Sequence, residues 1–271
     1  MAYQSVFKRF EKKYMLTLSQ KEELLKVMSE HMKLDEYGRS TIRNIYFDTD
    51  DYLLIRRSID KPSYKEKLRI RSYKQATPDS TTFVEIKKKF DKIVYKRRIS
   101  LPEKEAMDWI AGKGESSKKG QITNEINYFL KRYEGLKPAV FLSYEREAYF
   151  CEERKDFRVT FDHNILARTD NISLCADTYG TSLLPEGKVL MELKCAGGYP
   201  MWMVKFLSEH KIYKTSFSKY GTAYQTMIWP ELQRKRQEAK QPELVRKPAF
   251  PKFPSQNRIP ARGRVAALRH A

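Results

Sequence analysis

The sequence lacks the features that would place the chain in a membrane or in an oxidising compartment. No apolar run approaches the roughly 20 residues that a membrane helix needs, and residues 1–14 contain no apolar core of a secretory signal. The three cysteines, Cys151, Cys175 and Cys195, are far apart and form no CxxC pair, so the sequence predicts neither a disulfide framework nor a zinc site. We therefore expect a cytoplasmic protein without a transmembrane segment.

Two common catalytic signatures are also missing. Residues 112–114, Gly-Lys-Gly, lack the spacing and the following Ser or Thr of a phosphate-binding P-loop. The four histidines have no metal-ligand spacing; they are His31, His163, His210 and His270. We interpret the glycine-rich segment as an ordinary loop and the histidines as structural or exposed residues.

Positive charge is what the chain has in excess. Lys and Arg number 53 against 34 Asp and Glu, which gives a formal charge of +19. Residues 233–271 carry eleven Lys or Arg and two Glu, so +10 remains on the rest of the chain. Such an excess predicts an acidic partner: phosphates, nucleic acid or an anionic membrane surface.

The composition predicts one large folded domain followed by a tail. With 41% hydrophobic and 13% aromatic residues, 271 residues suffice for a substantial core. From about residue 237 onward, five prolines lie among Arg and Lys with little apolar periodicity, a composition that resists folding. We therefore predict a folded domain over residues 1–236 and a basic, disordered tail over residues 237–271.

Five segments show a strand pattern in which charged side chains occupy every second position. These segments are residues 64–73, 83–89, 94–99, 157–162 and 189–194. Successive side chains of a strand point to opposite faces, so the charged ones share a face. The aligned positions are Lys65, Lys67, Arg69, Arg71, Glu85, Lys87, Lys89, Lys96, Arg98, Arg158, Thr160, Asp162, Glu192 and Lys194. The sequence therefore predicts a sheet with a charged face.

This face has two interpretations. One side of an antiparallel sheet often simply meets water. However, like charges opposite one another across strands destabilise a sheet, so a face this basic calls for anions. The opposite positions are apolar and must be covered: Leu68, Ile70, Val84, Ile86, Phe157, Val159, Phe161, Val189, Met191 and Leu193. If helices cover the apolar face, the charged face points inward, and closing the sheet produces a barrel with a polar lumen.

The expected elements are those of an α+β fold. An amphipathic helix over residues 19–33 has a capping-box pattern at Ser19 and Glu22. Further helices are predicted over residues 102–111, 123–134, 200–210 and 219–236. Strands are predicted over residues 7–18, 42–48, 64–74, 82–89, 93–100, 140–150, 156–162 and 188–195.

Eight short motifs carry a resemblance to a known family. In order, they are RFEKKY (9–14), YFDT (46–49), LRIR (68–71), VEIK (84–87), SYER (143–146), RVTFD (158–162), MELK (191–194) and SFSKYG (216–221). Over residues 6–225 the chain resembles the catalytic domain of vacuolar transporter chaperone (VTC) polyphosphate polymerases, in the triphosphate tunnel metalloenzyme superfamily. Each motif is weak alone, and the ordered series is specific.

The resemblance implies a closed, antiparallel tunnel of about eight strands that binds ATP with Mn²⁺ or Mg²⁺. The terminal phosphoryl group of ATP would pass to a polyphosphate chain in the tunnel. Catalytic phosphate-binding residues would be Arg69, Arg71, Lys87, Arg146, Arg158 and Lys219. Lys13, Lys96, Arg98, Tyr144 and Lys194 would bind phosphate or nucleotide, Glu192 would bind the metal, and Arg56 or Arg57 would add a contact.

Several alternatives stay open at this stage. Glu192 is either a metal ligand or a salt-bridge partner of Lys194 or Arg158, and Tyr144 is either a nucleotide contact or core. Arg9 replaces the first of two alternating glutamates typical of tunnel triphosphatases, which disfavours hydrolysis. A non-catalytic polyphosphate-binding module is the third possibility. Nucleic acid is not favoured, because the aromatics lie opposite the charges or in helices. A membrane-protein partner is possible, and the oligomeric state is not predicted.

Overall fold

The computed structural model describes residues 10–91 and 93–240, in which antiparallel strands dominate. The strands are β1 Phe10–Thr17, β2 Lys33–Asp48, β3 Tyr64–Ser72, β4 Thr81–Phe90, β5 Ile93–Pro102, β6 Lys137–Phe150, β7 Arg158–Arg168, β8 Thr181–Ser182, β9 Lys188–Cys195 and β10 Lys214–Thr215. The helices are α1 Leu18–Met28, α2 Leu53–Ile59, α3 Glu103–Ile110, α4 Gln121–Arg132, α5 Met201–Glu209, α6 Lys219–Ala223 and α7 Trp229–Lys240, with a π-helical segment, Tyr224–Ile228, before α7. This confirms the α+β class.

The described residues fall into two compact units, 10–232 and 233–240. The first contains all ten strands, and the second is helical. None of the helices in the described ranges is both long and apolar enough to cross a membrane. Residues 7–9 of the predicted first strand, which include Arg9, and residues 241–271 of the predicted tail lie outside the described residues. The predicted boundary at residue 237 stays a prediction.

The ten strands form one sheet in the order β10-β1-β9-β7-β6-β2-β3-β4-β5, with β8 paired to β7. Within the described residues no backbone pairing joins β5 to β1 or β10, so the predicted closed barrel is not confirmed. The short β10 pairs with the edge of β1 through only two residues, so the backbone hydrogen bonding of the sheet ends at β10. Side chains do reach across the opening, where Lys87 Nζ of β4 lies 3.7 Å from a carboxylate oxygen of Glu11 of β1.

Helices cover one face of the sheet, as the alternating pattern predicts; we call it the outer face. Leu68 and Ile86 of β3 and β4 are buried there in one apolar cluster with Trp109 of α3 and Phe129 of α4. Helices α1 and α5 cover β1, β7 and β9 in a second cluster that includes Leu16, Leu24, Met28, Phe157, Leu193 and Met203. Fully burying such a side chain contributes about 1.5–3 kcal/mol. These contacts orient the charged positions toward the other, inner face.

Part of the inner face is apolar, which the sequence pattern did not predict. Leu142 and Leu190, on the inner side of β6 and β9, are buried with Tyr220 of α6 and Ile228 of the π-helical segment. The residue Ile55 of α2 joins the same cluster. We call α2, α6 and the π-helical segment the plug. It fills one portion of the interior and leaves the charged portion beside it.

Local sequence signals placed some elements imperfectly. Helix α1 begins at Leu18, and its capping box consists of Thr17 and Gln20, whose side chains and backbone N–H groups exchange bonds of 2.9 and 3.1 Å. The predicted box at Ser19 and Glu22 is therefore wrong by two residues, because β1 runs directly into the helix. Helix α2 was not predicted, since seven residues are too few to show a helical period. Its N-terminus is held by buried Asp48, which accepts from the backbone N–H groups of two α2 residues.

Candidate functional site

Strand register brings charged side chains from seven strands together on the inner face. Across the sheet, Lys13 faces Glu192, Arg146 faces Asp162, and Arg69 faces Glu85. Nine cations and four carboxylates gather there, Lys219 from α6 and the others from the strands: Lys13, Lys67, Arg69, Arg71, Lys87, Lys96, Arg146, Lys194 and Lys219, with Glu11, Glu85, Asp162 and Glu192. The group therefore carries an excess of positive charge that carboxylates do not neutralise.

Glu85 is the centre of one ion-pair network, which we call the Glu85 cluster (Arg69, Arg71, Glu85 and Lys96). Arg69 donates to one carboxylate oxygen at 2.7 and 2.8 Å, and Lys96 Nζ lies 2.6 Å from the other. Arg71 Nε lies 3.9 Å away. Burial would raise the pKa of Glu85, but the charges of Arg69, Arg71 and Lys96 outweigh it and hold the pKa well below its ordinary value. Glu85 is thus ionised and fixes the orientation of Arg69. Arg71 is held instead by the side chains of Asn44 and Tyr144, to which it donates at 3.0 and 3.1 Å.

Asp162 forms a second tight network with two cations of the inner face. Arg146 donates to both carboxylate oxygens, at 2.6 and 2.7 Å, which is the bidentate geometry of a strong guanidinium–carboxylate pair. Lys219 of α6 donates to the second oxygen at 2.5 Å. Burial acts to raise the pKa of Asp162, and the charges of Arg146 and Lys219 lower it below its ordinary value. The hydrogen-bonding capacity of Asp162 is therefore largely used.

Glu192 is surrounded by four cations, and all four are at longer distances. Its carboxylate oxygens lie 3.5 Å from Lys13, 3.6 Å from Arg146, 3.2 Å from Lys194 and 3.5 Å from Lys219. Burial would raise its pKa, and these charges, led by Lys219, lower it well below the ordinary value. Glu192 is therefore an ionised carboxylate with acceptor capacity left.

Tyr144 connects the two halves of the charged region. Its hydroxyl accepts a hydrogen bond from Arg71 at 3.1 Å. The face of its ring lies 4.4 Å from Lys219 Nζ and 5.1 Å from the guanidinium of Arg146, which are favourable cation–π distances. Tyr144 is 3% exposed, so it is a core residue that also contacts cations of the site. Its contact with a nucleotide stays a prediction.

The remaining predicted residues lie toward the edge of the charged region. Lys87 is half-exposed beside Glu11. The guanidinium of Arg98 packs 4.8 Å from the ring centre of Phe83, and Arg158 is exposed at the end of β7, opposite Lys194 in register. Arg98 is also directly opposite Glu85 in register. Among the described residues, Arg158 forms no ion pair with either of the two networks described above.

Arg56 lies outside the charged region. It is on the exposed side of α2, where it pairs with Asp51. The expected additional phosphate contact therefore has no support at Arg56.

Besides Glu11, three charged residues of the site had no role assigned from sequence. Glu85 and Asp162 organise the networks, and Lys67 lies on the inner face between Arg69 and the plug. The alternation pattern had already placed all three on the charged face. What sequence could not show is which cation each carboxylate meets, because these partners come from distant strands.

A divalent metal fits this donor set. In the described ranges, no group of three or more His, Cys, Asp or Glu side chains converges. Mg²⁺ and Mn²⁺ favour oxygen ligands, and Mg²⁺ is commonly held by one or two carboxylates together with substrate phosphates. Of the four carboxylates in this group, Glu192 and its diagonal neighbour Glu11 are the two whose distances to the surrounding cations are all 3.2 Å or longer. They are therefore the residues that would hold such an ion.

Anion binding at this site is expected to weaken as the pH rises through 8. Burial lowers the pKa of Lys67 and of Lys96 to about 8, so both lose their charge above that pH. Each deprotonation is expected to reduce tripolyphosphate affinity by up to tenfold per pH unit. Calorimetric titration between pH 7 and 9.5 measures this slope.

The matched variant for this prediction is Lys67→Arg. Arginine stays charged over the whole range, so its slope should be shallower than that of the wild type. A wild-type affinity that stays constant up to pH 9.5 would contradict the prediction.

The fold and site together define an antiparallel α+β sheet protein with a cationic, carboxylate-containing interior. A sequence profile of the VTC domain matches residues 8–228. The chain therefore belongs to the VTC domain family, which confirms the resemblance drawn from the eight motifs.

Solved structures with a similar fold carry other activity names. A Bacillus halodurans protein named as a proposed adenylate cyclase is 16% identical, with a TM-score of 0.51; the match covers 79% of this chain and 96% of that protein. A Hippeastrum protein, named as a proposed adenylyl cyclase with a dominant triphosphatase activity, is 15% identical, with a TM-score of 0.49 and coverages of 80% and 94%. A search of curated protein sequences gave no significant match. The first likeness shows a shared fold.

Proposed function

We propose that this protein is a metal-dependent polyphosphate polymerase, which transfers the terminal phosphoryl group of ATP to a polyphosphate chain held on the inner face. The observation that carries the proposal is the charged group on the inner face, in which nine cations meet four carboxylates, in a member of the VTC domain family. An excess of positive charge in a partly buried site requires anionic ligands. A chain of phosphates supplies them at regular spacing.

The arginines suit the transferring phosphoryl group. Phosphoryl transfer needs little covalent chemistry from the protein and depends on positioning and charge neutralisation. Arg69 is oriented in advance by Glu85 and Arg146 by Asp162. Arg71 is oriented by its hydrogen bonds to Asn44 and Tyr144. Because these guanidinium groups are already held, they lose little freedom when phosphate oxygens bind. We assign them to the phosphates that react.

The metal site completes this arrangement. Glu192, with Glu11 beside it, would hold Mn²⁺ or Mg²⁺ together with phosphate oxygens. The bound ion would neutralise charge that develops on the phosphates during transfer. Lys13, Lys194 and Lys219 surround the same carboxylate, so they contribute further positive charge where the phosphates lie.

The proposal includes a closed tunnel in the ligand-bound protein. Strands β4 and β1 have no backbone pairing, yet Lys87 and Glu11 meet across the opening. Lys67 of β3 similarly reaches Ser218, the residue before α6, at 3.4 Å. A polyphosphate chain that lies between β3 and β4 on one side and β1 and α6 on the other would bind cations of both sides and hold the two sides together.

A product assay tests the proposed activity. Purified protein is incubated with ATP and Mn²⁺, and both polymer length on a gel and free phosphate are followed. Arg69→Ala is expected to reduce polymer synthesis by about 10²–10³-fold, the scale for loss of one preorganised charge donor. Arg97→Ala is the matched control, because Arg97 neighbours Lys96 on β5 but points to the outer face near Glu125. Thermal unfolding of both variants verifies that they are folded.

Each product pattern assigns a different function. Long chains that require Arg69 establish the polymerase. Free phosphate without polymer would replace it with a tunnel triphosphatase, and tight polyphosphate binding without either product would leave a binding module. ATP and polyphosphate are the proposed substrates, and a membrane-protein partner stays a prediction.

A further inference from the structure

Two consecutive lysine pairs lie on the inner face of β3 and β4, next to the Glu85 cluster. Lys67 is directly opposite Lys87, and Lys65 is directly opposite Lys89. We call these four residues the lysine ladder. Like charges directly opposite one another destabilise a sheet, so two successive pairs need an explanation beyond strand formation.

Carboxylates neutralise little of the lysine ladder. Within the described ranges, Lys87 is the one member with a carboxylate inside 4 Å, Glu11 at 3.7 Å. Lys65 Nζ donates instead to the carbonyl of Ser58 at the end of α2. Burial lowers the pKa of Lys65, and the charges of Lys89 and other lysines lower it further. The ladder is therefore a cationic strip of four lysines with one carboxylate, Glu11, within 4 Å of it.

The strip continues from the cluster that binds the reacting phosphates in our proposal. Lys65, Lys67 and Arg69 alternate along β3, which spaces them by roughly 6.8 Å. Level with Arg69, the inner positions of the next two strands are Tyr46 of β2 and Val140 of β6, and both pack against the plug. Among these adjacent strands, the cationic strip follows β3 and β4 past the plug.

The strip also reaches solvent. The side chain of Lys87 is 45% exposed, and the last pair of β3 and β4, Tyr64 and Phe90, is 40% and 53% exposed. A ligand lying along the strip therefore extends from the buried Glu85 cluster to the surface. Only a linear polyanion has this shape and charge.

The residue types differ along this path. The Glu85 cluster contains two arginines beside Lys96, and their planar forks are fixed by hydrogen bonds and suit bidentate phosphate binding. The strip beyond it uses lysines, which are compact charges on flexible stems with weaker geometric demands. Fixed arginines suit a group that reacts, and lysines suit a chain that must slide.

We propose that the lysine ladder binds the distal, already formed part of the polyphosphate chain and leads it from the Glu85 cluster to the exposed end of β3 and β4. This inference rests on the proposed function and adds the direction in which the polymer leaves. It assigns Lys65 and Lys89 to binding long chains, with no contact to the reacting triphosphate.

The test compares a long and a short probe on the full chain. Long-chain inorganic polyphosphate and tripolyphosphate are titrated into wild type, Lys89→Gln, Lys89→Glu and Lys88→Gln. Lys88 is the matched control because it neighbours Lys89 but points to the outer face, 3.8 Å from Glu125. Lys65 is left unchanged because it also caps α2.

Lys89→Glu is expected to weaken long-chain binding at least tenfold, with Lys89→Gln between it and wild type. The slope of log affinity against log salt should become shallower by roughly one for Lys89→Gln, as one phosphate contact is lost. Tripolyphosphate affinity should stay within about twofold of wild type in both. Lys88→Gln should bind both probes like wild type.

Other results overturn the inference. If the Lys89 variants bound both probes equally more weakly, Lys89 would act only through the overall electrostatic field of the protein. If neither variant weakened long-chain binding, the polyphosphate chain would leave the site by another path. If Lys88→Gln weakened long-chain binding as much as Lys89→Gln does, binding would not depend on the inner face. These outcomes are separate from the proposed function: a wild type that makes no polymer but shows the length-dependent effect would refute the polymerase and keep the ladder.

Discussion

Replacing Glu85 with alanine is expected to lower the free energy of unfolding by about 3–5 kcal/mol at neutral pH, the scale for removing one partner of a buried ion pair. Glu85 is 1% exposed, and its loss leaves Arg69, Arg71 and Lys96 close together without their shared counter-ion. Urea unfolding monitored by circular dichroism measures the change. Adding tripolyphosphate should recover part of the loss, because phosphate oxygens replace the missing carboxylate.

The control for Glu85 is Glu125→Ala. Glu125 also pairs with a lysine and an arginine, Lys88 and Arg97, but it lies on α4 and is 25% exposed. Its removal should therefore cost less than about 1 kcal/mol. An equal loss in both variants would contradict the special position of Glu85.

The pH dependence of this effect has a definite sign. Because the pKa of Glu85 is depressed in the folded state, its stabilising contribution is present above the ordinary glutamate value of 4.5 and is lost as the pH falls toward the folded value. The stability difference between wild type and Glu85→Ala should therefore be constant from pH 6 to 7 and should shrink below pH 4.

Glu192→Gln is expected to change metal-free and metal-dependent binding in opposite directions. The substitution removes one negative charge from among four cations, so tripolyphosphate should bind up to tenfold more tightly in EDTA. With Mn²⁺ present, the gain in affinity that the metal gives wild type should disappear. Polymer synthesis should fall by at least about 10²-fold. Calorimetry in EDTA and in Mn²⁺, with the gel assay, measures all three.

Glu145→Gln is the matched control for Glu192. Glu145 lies on β6 next to Arg146 but points to the outer face, where it pairs with Arg39. It should leave both binding and metal stimulation at wild-type levels. If Glu192→Gln kept the full metal stimulation of wild type, Glu192 would be a salt-bridge partner of Lys194 and nothing more.

Much of the fold could be predicted because strand periodicity is a local property. Charged and apolar side chains alternate along β3, β4 and β9, so the two faces of each strand are readable from sequence. The apolar faces required helical cover, which α1, α3, α4 and α5 provide. The same alternation placed Arg69, Lys87 and Glu192 on one face before any contact was known.

Other parts depend on contacts between residues far apart in sequence. Helix α2 is set by buried Asp48, which accepts from its first turn and from the hydroxyl of Tyr220, a residue 172 positions later. The position of the plug could not be predicted. The apolar residues of β6 and β9 that it contacts belong to strands that carry charged residues on the same face elsewhere. Closure of the sheet could not be predicted from sequence either. It depends on how many residues at the β10 and β1 edge are available to pair with β5.

The sequence alone determined that this chain has a cationic sheet face, since charge and strand period are local properties of the sequence. Its eight ordered motifs indicated the VTC domain family. Only the tertiary structure decided which cations are already neutralised. Glu85 and Asp162 hold Arg69 and Arg146 through contacts that span 16 residues of chain each. Lys219 reaches Asp162 across 57 residues. Electrostatic energy depends on distance in space, so the difference between a satisfied arginine and an unsatisfied lysine ladder exists only in the folded protein.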